Sequence, residues 1–443
     1  MKKIGIIIIG GLLIVLLIIN IVLLLKDNNS YSSVSTITSN TESASKLSST
    51  YDDTDYGSSK ELTGNTISSS GSYEITGNSE NIIVDVEGNV ELVLNNATIN
   101  NSNGPAIYIK NAKTVSIVIT GSNKITSVTS EDLDGAIYST ADLVLSGTGT
   151  LEVSSNYDGI VSKDSLIIKS GTYVINSDDD GIRGKDYVAI VDGTFTINAK
   201  GDGIKSTNEE DTSLGYIVVD NGTFNINAVN DGFDAVTEVN IKGGTFNIKT
   251  TSLEDDSSKG IKGDSKIIIT GGTFDIDSTD DGIHSNGDIA IKGGNITIDS
   301  GDDAIHADGM LEISSGTLSL KAREGLEATY VKIIDGNITI SASDDGINAG
   351  NKSSNYSVTI EIIGGTITVN MGAGDTDGID SNGNLIITGG TISVNANSPF
   401  DYDGMLTFTG GKVIVNGNEV STISNQQIGG GRWDIKNILS IKN

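Results

Sequence analysis

A repeat of about 22 residues is the feature that most restricts what this 443-residue chain can fold into. Each unit carries a Gly-Thr or related pair followed by strict alternation of apolar and polar residues, as in Gly193-Thr194-Phe195-Thr196-Ile197. From Gly171 to Gly411 the glycine recurs at intervals of 22, 29, 22, 28, 22, 22, 20, 29, 25 and 21 residues. Alternation with a period of two is typical of β-strands, and a repeat of this length indicates stacked units.

A second signature, Asp-Gly-Ile, alternates with the first and marks another short strand. A third apolar stretch, such as Ile267-Ile268-Ile269, lies between the two. Three strands and three turns in each unit predict one coil of a parallel β-helix, because an antiparallel sandwich would not keep a single period. We therefore predict an all-β fold, a right-handed parallel β-helix with three-strand coils of about 22 residues. The signature begins at Asp158, Asp180, Asp202, Asp281, Asp345 and Asp377.

An aromatic residue follows the Gly-Thr pair in several consecutive units, in step with an isoleucine two residues later. Stacked coils would place these rings above one another, and the alternation points them inward. We predict that they form a core ladder rather than a platform for sugar stacking. The residues are Tyr173, Phe195, Phe224, Phe246 and Phe274.

The N-terminus carries the clearest local signal. Lys2 and Lys3 precede an apolar run from Ile4 to Leu25, which at 1.5 Å per residue is long enough to cross a bilayer. We predict a signal-anchor transmembrane helix over residues 1–26, with the remainder outside the cell; a cleaved signal peptide and secretion is the alternative. Residues 27–62 are rich in Ser and Thr and predict a disordered stalk, residues 63–430 the β-helix, and residues 431–443 a C-terminal cap or tail.

Composition excludes several classes of function. The chain has 58 acidic and 28 basic residues and a formal net charge of −30, which argues against nucleic acid as a partner. It has no cysteine, which excludes disulfide scaffolds, cysteine-ligated metal centres and thiol catalysis.

Several runs resemble a known family, among them Gly104-Pro105-Ala106-Ile107-Tyr108, Asp134-Gly135-Ala136-Ile137-Tyr138 and Asp180-Gly181-Ile182-Arg183-Gly184. They resemble the bacterial carbohydrate-binding domain-containing β-helix proteins, over roughly residues 65–430. The resemblance implies a secreted or cell-surface right-handed β-helix that binds calcium and acidic or cellulosic polysaccharide. That family is in turn similar to calcium-dependent pectate lyases. The partner so implied is a polysaccharide such as polygalacturonate or a cellulose-like glucan.

Carboxylates gather in the turn before the Asp-Gly-Ile strand, where stacked coils would bring them close together. Two carboxylates about 5 Å apart repel by about 3.5 kcal/mol at an effective dielectric constant of 20, so a cation between them would be favourable. Oxygen-only ligands with irregular spacing fit Ca²⁺, although Asp-Gly is also ordinary turn chemistry with solvated carboxylates. The predicted calcium ligands are Asp179, Asp180, Asp202, Asp231, Asp234, Asp280, Asp281, Asp302, Asp303, Asp344 and Asp345.

An outward column two residues after the glycine collects further candidates, including both histidines of the chain. A polar surface stack explains this column as well as a sugar contact does. The predicted carbohydrate-binding residues are Tyr108, Tyr138, Arg183, Lys205, His284 and His306.

Three functions remain open on the sequence. A β-helix lyase needs a cation and a base that removes a proton from the sugar, and Lys205, Lys262 and Arg183 are the candidates for that base. Nothing in the spacing shows that any of them has a lowered pKa. A cell-surface carbohydrate-binding protein is the favoured interpretation, with a pectate-lyase-like enzyme or a structural or adhesive surface rod as alternatives.

Overall fold

The protein folds into one continuous sheet of 43 strands. The computed structural model describes residues 37–39, 41–52, 54–252, 258–373 and 376–425. Among these residues each strand pairs in parallel with a strand of the next coil. The last pair of strands, Lys412–Val415 with Asn418–Val420, is antiparallel instead. The pairing is that of stacked coils, so the predicted all-β, parallel β-helical architecture is confirmed. Its right-handed sense stays a prediction.

The strands form three stacks. The first stack, which carries the Asp-Gly-Ile strands, contains Thr66–Ile67, Ile82–Asp85, Ile107–Asn111, Gly135–Ser139, Asp158–Ser162, Ile182–Gly184, Ile204–Ser206, Phe233–Ala235, Ile261–Gly263, Ile283–Ser285, Asp303–Ile313, Glu324–Ile333, Asp345–Ala349, Asp377–Ser381 and Ser398–Tyr402. The second contains Thr114–Thr120, Asp142–Gly147, Ser165–Ile168, Tyr187–Ile190, Tyr216–Val219, Glu238–Ile241, Lys266–Ile269, Asp288–Ile291, Thr359–Ile362, Asn384–Ile387 and Leu406–Phe408. Two long strands, Asp303–Ile313 and Glu324–Ile333, run from the first stack into the second.

The third stack carries the Gly-Thr strands. It contains Gly71–Ser79, Asn89–Asn101, Ser122–Ser127, Thr150–Ser155, Thr172–Ser177, Thr194–Ala199, Thr223–Ala228, Thr245–Thr250, Thr273–Ser278, Asn295–Ser300, Thr317–Ala322, Asn337–Ala342, Thr366–Met371, Thr391–Asn395 and Lys412–Val415, and Asn418–Val420 follows. Gly71–Ser79 and Asn89–Asn101 begin in the second stack, where Lys60–Glu61 pairs with the former.

The predicted aromatic ladder lies in the core. Phe195, Phe224 and Phe246 face one another in register on successive coils, and neighbouring ring centroids are 4.7 Å apart. Phe274 continues the stack at 4.5 Å from Phe246, and all four rings are almost fully buried. Along these strands buried and exposed residues alternate, which leaves a polar outer face of Thr and Asn.

Glycine recurs at two places in most coils, although one coil has Ala304 at the second place. Gly244 opens a Gly-Thr strand with a φ of 117°, a conformation that an L side chain rarely adopts. Gly203, in the Asp-Gly-Ile signature, packs against the backbone of the next coil: a Cβ there would lie 2.6 Å from the carbonyl oxygen of Gly232. The first stack therefore depends on glycine for close approach of neighbouring coils.

A short helix, α1 (Ala44–Ser49), covers part of the second stack. Ser43 caps its N-terminus, since the side chain of Ser43 accepts a hydrogen bond from the N–H of Lys46 at 3.1 Å. Ala44 is fully buried in an apolar cluster with Val144, Ile167, Ala189, Tyr216 and Val218, which point outward from the second stack.

The structure thus corrects the expectation of a disordered stalk for the described part of residues 27–62. Asp220 accepts hydrogen bonds from the backbone N–H groups of Ser45 and Ala44, at 2.7 and 3.3 Å. Lys169 Nζ forms a salt bridge with Asp52 Oδ1 at 2.6 Å. The apolar outer face of the second stack needs a cover, and this segment, which we call the strap (residues 41–52), supplies it.

The remaining boundaries are partly outside the described residues. The predicted membrane-spanning helix over residues 1–26 and the predicted cap over residues 431–443 both lie outside them. In the part of the chain that the structure describes, no helix has the length and apolar character to span a membrane. The strands begin at Lys60 and end at Val420, close to the predicted limits of 63 and 430.

Candidate functional site

The predicted site lies where each coil enters the first stack. Six of its aspartates are buried, and in the first five of them one carboxylate oxygen accepts a backbone N–H from the next coil. Asp180 Oδ1 binds the N–H of Asp202, and Asp202 Oδ1 binds the N–H of Asp231, both at 2.8 Å. Asp281 Oδ1 binds the N–H of Asp303 at 2.9 Å. We call this series the aspartate ladder (Asp158, Asp180, Asp202, Asp231, Asp281 and Asp303).

Cationic side chains occupy the other side of the ladder in its first half. Arg183 donates from Nε to Asp158 Oδ2 at 2.7 Å and also contacts Asp134. Lys205 contacts Asp202 and lies 3.5 Å from Asp234 Oδ2. The carboxylates predicted to need calcium are therefore compensated by side chains of the chain itself.

Lys262 continues this pattern, 3.2 Å from Asp234 Oδ1 and 3.8 Å from Asp231 Oδ2. Burial alone would lower the pKa of each lysine, but the adjacent carboxylates outweigh it and raise the pKa of both Lys205 and Lys262. The pKa of Arg183 is likewise raised by Asp158 and Asp134 against the effect of burial. All three candidate bases are held protonated, which is unfavourable for proton abstraction.

The two histidines replace the lysines one and two coils further on. His284 Nδ1 lies 2.7 Å from Asp281 Oδ2, and His306 Nδ1 lies 2.8 Å from Asp303 Oδ2. Their ring centroids are 4.8 Å apart and their planes are tilted by 46°, so the two side chains lie next to each other on neighbouring coils. Glu327 Oε2 also lies 3.1 Å from His306 Nδ1, and the pKa of Asp303 is raised by burial and by its hydrogen bond with Glu327. Both imidazoles face buried carboxylates.

The outer aspartates of the predicted metal set also have cationic partners. Asp280 pairs with Lys259 at 2.5 Å, and Asp344 pairs with Arg323 at 2.6 Å. Arg323 also contacts Asp302. Asp179 is exposed, beside Asp158 and Asp180, in a group whose ligand atoms lie within 4.8 Å of one another. Groups close enough to hold a metal exist here, but most of their members already bind Lys, Arg or His.

Toward the C-terminus, the first stack loses the basic side chains that pair with its carboxylates. There Asn348 and Asp380 take the positions of Lys and His in the outward column, and Asp345 pairs in register with Asp377. Burial and the charge of Asp380 raise the pKa of Asp345 to about 7; burial and the charge of Asp401 do the same to Asp380. The Oδ1 atoms of Asn348 and Asp401 are buried and have no hydrogen-bond partner among the described residues. We call Asp345, Asn348, Asp380 and Asp401 the C-terminal carboxylate cluster.

Sequence reasoning named only Asp345 of this cluster as a metal ligand. The signal that could have found the rest is the loss of basic residues from the outward column after His306, where Glu327, Asn348, Asp380 and Asp401 follow in register. The C-terminal end of the rod therefore differs from the rest because its carboxylate and amide oxygens lack basic partners, and not because it has more aspartates.

The predicted tyrosines form no platform. Tyr108 and Tyr138 meet edge to face with centroids 5.9 Å apart, and only 7% of Tyr138 is exposed. Lys163 Nζ lies 5.6 Å from the centre of the Tyr138 ring. These rings therefore offer little area for stacking against a sugar.

A groove that sequence reasoning did not identify lies at the C-terminal ends of the third-stack strands. Its volume is about 560 Å³, and Asn176, Asn198 and Asn227 line it on three successive coils. A similar groove of about 570 Å³ follows the same edge further along, beside Ser341 and Asn370. The sequence signal was a run of asparagines at one position of the repeat.

The family model described as "Carbohydrate-binding domain-containing protein" matches residues 63–304 and 302–436. The chain belongs to this family. The predicted resemblance is thereby confirmed over most of the sequence.

Among solved structures, the chain is similar to one titled "Structure of the polysaccharide lyase-like protein from C. thermocellum, Gadolinium derivative". The identity is 27%, the TM-score is 0.41, and the match covers 52% of this chain and 88% of that one. A search of curated proteins gave no match.

Proposed function

We propose that this protein is a cell-surface polysaccharide-binding protein that does not cleave its ligand. Membership of a carbohydrate-binding family supports the first part. The observation that carries the second is the pairing of the candidate bases with carboxylates: Lys205 with Asp202, and Lys262 with Asp234. A lyase base must accept a proton, and an ammonium group fixed between carboxylates retains its own.

We propose that calcium, where it binds, is held at the C-terminal carboxylate cluster. Asp345, Asp380 and Asp401 supply carboxylate oxygens, and Asn348 supplies a buried amide oxygen that has no hydrogen-bond partner in the described part of the chain. Hard oxygen donors of this kind suit Ca²⁺. A bound cation would offset the repulsion among these carboxylates and, at an open coordination position, would attract a uronate carboxylate.

The charge of the chain explains why such a cation would matter for acidic ligands. A protein with a formal net charge of −30 repels polygalacturonate unless a cation bridges the two. Binding of acidic polysaccharide is therefore expected to require calcium. Attachment to the cell membrane through residues 1–26 is part of the same proposal and would present the rod outside the cell.

The test is binding of immobilised oligogalacturonate by the full chain in calcium and in chelator. We expect saturable binding that chelator abolishes and that Asp380→Asn weakens about tenfold or more, because a charged ligand of the cation is lost. Asp275→Asn is the matched control, since Asp275 is an exposed carboxylate on the third stack. Equal binding with and without calcium would contradict the calcium proposal. Absence of binding to any polysaccharide would contradict the proposed function itself.

A further inference from the structure

A continuous outward column runs along the C-terminal edge of the third stack. Its residues face one another in register from coil to coil, beginning with Thr126, Ser154, Asn176, Asn198 and Asn227. All five line the groove of about 560 Å³. We call this series, with its continuation at Ser341, Asn370 and Asn395, the asparagine column.

The amides of the column are ordered by one another. Asn198 Nδ2 donates to Asn176 Oδ1 at 3.0 Å, and Asn227 Nδ2 donates to Asn198 Oδ1 at 3.1 Å. A carboxamide has two N–H donors and two acceptor lone pairs, and this ladder uses one of each at Asn198. The exposed side chain of Asn198 therefore presents a second donor and a second acceptor to a ligand.

The floor beside the amides is small and apolar. Ala199 and Ala228 follow the asparagines on successive coils, with exposures of 6% and 2%, and Ser177 occupies the same position one coil earlier. Small side chains here create the depth of the groove. Its volume lies within the usual range for ligand pockets, about 300–1,000 Å³.

The column carries no uncompensated charge, which is unusual in a chain with a net charge of −30. Its charged middle consists of two ion pairs within the column, Lys249 with Asp277 and Lys321 with Asp299. On the rim of the groove, Lys200 pairs with Asp178 at 2.7 Å. The net negative charge repels acidic glycans unless calcium is bound. It does not repel an uncharged glycan, so an uncharged ligand could bind here without calcium.

We propose that the asparagine column is a calcium-independent binding site for an uncharged, hydroxyl-rich glycan chain that lies along the axis of the rod. Hydroxyl groups match the paired donor and acceptor of each carboxamide, and the alanine floor accepts the apolar face of a sugar ring. The inference rests on the proposed function in one respect, that the protein binds polysaccharide. It places the uncharged ligand beside strand ends that come four residues before the aspartate ladder, as Asn198 precedes Asp202.

Each hydrogen bond between this surface and a sugar would be weak. A hydrogen bond contributes only about 0.5–1.5 kcal/mol, so affinity must come from several coils acting on one chain. Strands stack about 4.8 Å apart, so the six coils that line the groove span roughly 24 Å. Affinity should therefore rise with the length of the oligosaccharide until it fills this span, and then level off.

The experiment measures binding of the full chain to uncharged β-glucan oligomers of increasing length, in chelator, by titration calorimetry. The test variant is Asn198→Ala with Asn227→Ala, and the matched control is Asn247→Ala. Asn247 is an exposed asparagine on the same stack that donates to Asn225 Oδ1 at 3.2 Å, but it does not line the groove. Thermal unfolding of both variants checks that the coils remain folded.

The expected result is binding in chelator that increases with length, falls about tenfold in the double variant and is unchanged in Asn247→Ala. Unchanged binding by the double variant, or an equal loss in the control, would overturn the assignment to this column. If the uncharged oligomers do not bind while oligogalacturonate binds in calcium, this inference fails and the proposed function stands. If neither class of glycan binds, the proposed function fails as well.

Discussion

Asp180 Oδ1 accepts the backbone N–H of Asp202 on the next coil, at 2.8 Å. From Asp158 to Asp281, each buried aspartate of the ladder thus accepts a backbone N–H of the next coil, and its second oxygen lies beside a basic side chain such as Arg183 or Lys205. The ladder serves the stacking of the coils. In the first half of the ladder, the aspartates that the sequence suggested as metal ligands instead form a network of ion pairs within the protein.

This network predicts a large loss of stability in Asp202→Ala. Asp202 is only 3% exposed, and its removal leaves the N–H of Asp231 and the ammonium group of Lys205 without their closest acceptors. Breaking a buried pair typically costs about 3–5 kcal/mol in the free energy of unfolding. Urea unfolding would measure it. Asp202→Asn, which keeps an oxygen for the backbone N–H, should lose less.

The control for this prediction is Lys124→Ala. Lys124 pairs with Glu152 at 2.6 Å, but both side chains are about half exposed. Exposed pairs contribute about 0–1 kcal/mol, so this variant should unfold almost as the parent does. A loss in Asp202→Ala no larger than that of the control would show that the ladder does not support the stack.

The strap should detach when its anchor is removed. Asp220 accepts the N–H groups of Ser45 and Ala44 and pairs with Lys242 at 3.0 Å. Asp220→Ala removes the polar anchor of α1 and leaves its apolar contacts and the flanking bonds at Thr41 and Asp52. Trypsin should therefore cleave after the exposed Lys46 several-fold faster than in the parent chain. Asp192→Ala, at an exposed turn, is the control. Equal cleavage rates in all three proteins would contradict the role of Asp220.

Stability should depend on pH through Asp164. Burial, then the charges of Asp142 and Asp186, raise the pKa of Asp164 to about 6, above its value of about 3.9 in an unfolded chain. The folded state therefore holds the proton more tightly. Its stabilising contribution is full below about pH 4 and is lost as the pH rises through 6.

The measurement for Asp164 is the melting temperature of the parent and of Asp164→Asn between pH 5 and pH 8. The amide cannot ionise, so the variant should lose less stability than the parent over this interval. Parallel pH profiles for the two proteins would mean that Asp164 does not hold its proton in the folded state.

Calcium should stabilise the protein through the C-terminal carboxylate cluster. A ligand that binds only the folded state raises the melting temperature in proportion to the logarithm of its concentration above the dissociation constant. We expect an increase of a few degrees in the parent and in Asp275→Asn, and a much smaller one in Asp380→Asn. An increase of the same size in Asp380→Asn would place the cation elsewhere.

The sequence repeat was sufficient to predict the stacks and the core. The Gly-Thr spacing positions Phe224 and Phe246 in register, because side chains alternate across a strand and identical coils stack directly. The strap was not predicted, since it depends on a surface made by four different coils. The sequence did indicate that a cover was needed, because Ile167 and Val218 are apolar on the side of the second stack that would otherwise face water.

The sequence placed the side chains of the candidate site close together but did not show which partners they take. His284 and His306 do lie side by side beside Asp281 and Asp303. Spacing cannot show which partner an aspartate takes, because Lys205 reaches Asp202 three residues earlier only through the local geometry of the turn. The asparagine column was readable from the repeat, yet exposed asparagines are so common on strands that only the groove distinguishes them.

Binding without cleavage is the central claim, and one measurement tests it most directly. The full chain is mixed with oligogalacturonate in calcium, the heat of each injection is recorded, and the recovered oligosaccharide is analysed by mass. The account predicts a saturating isotherm and oligosaccharide of unchanged length. Heat that continues after each injection, together with shortened products carrying an unsaturated end, would contradict it and would make Lys205 and Lys262 catalytic candidates again.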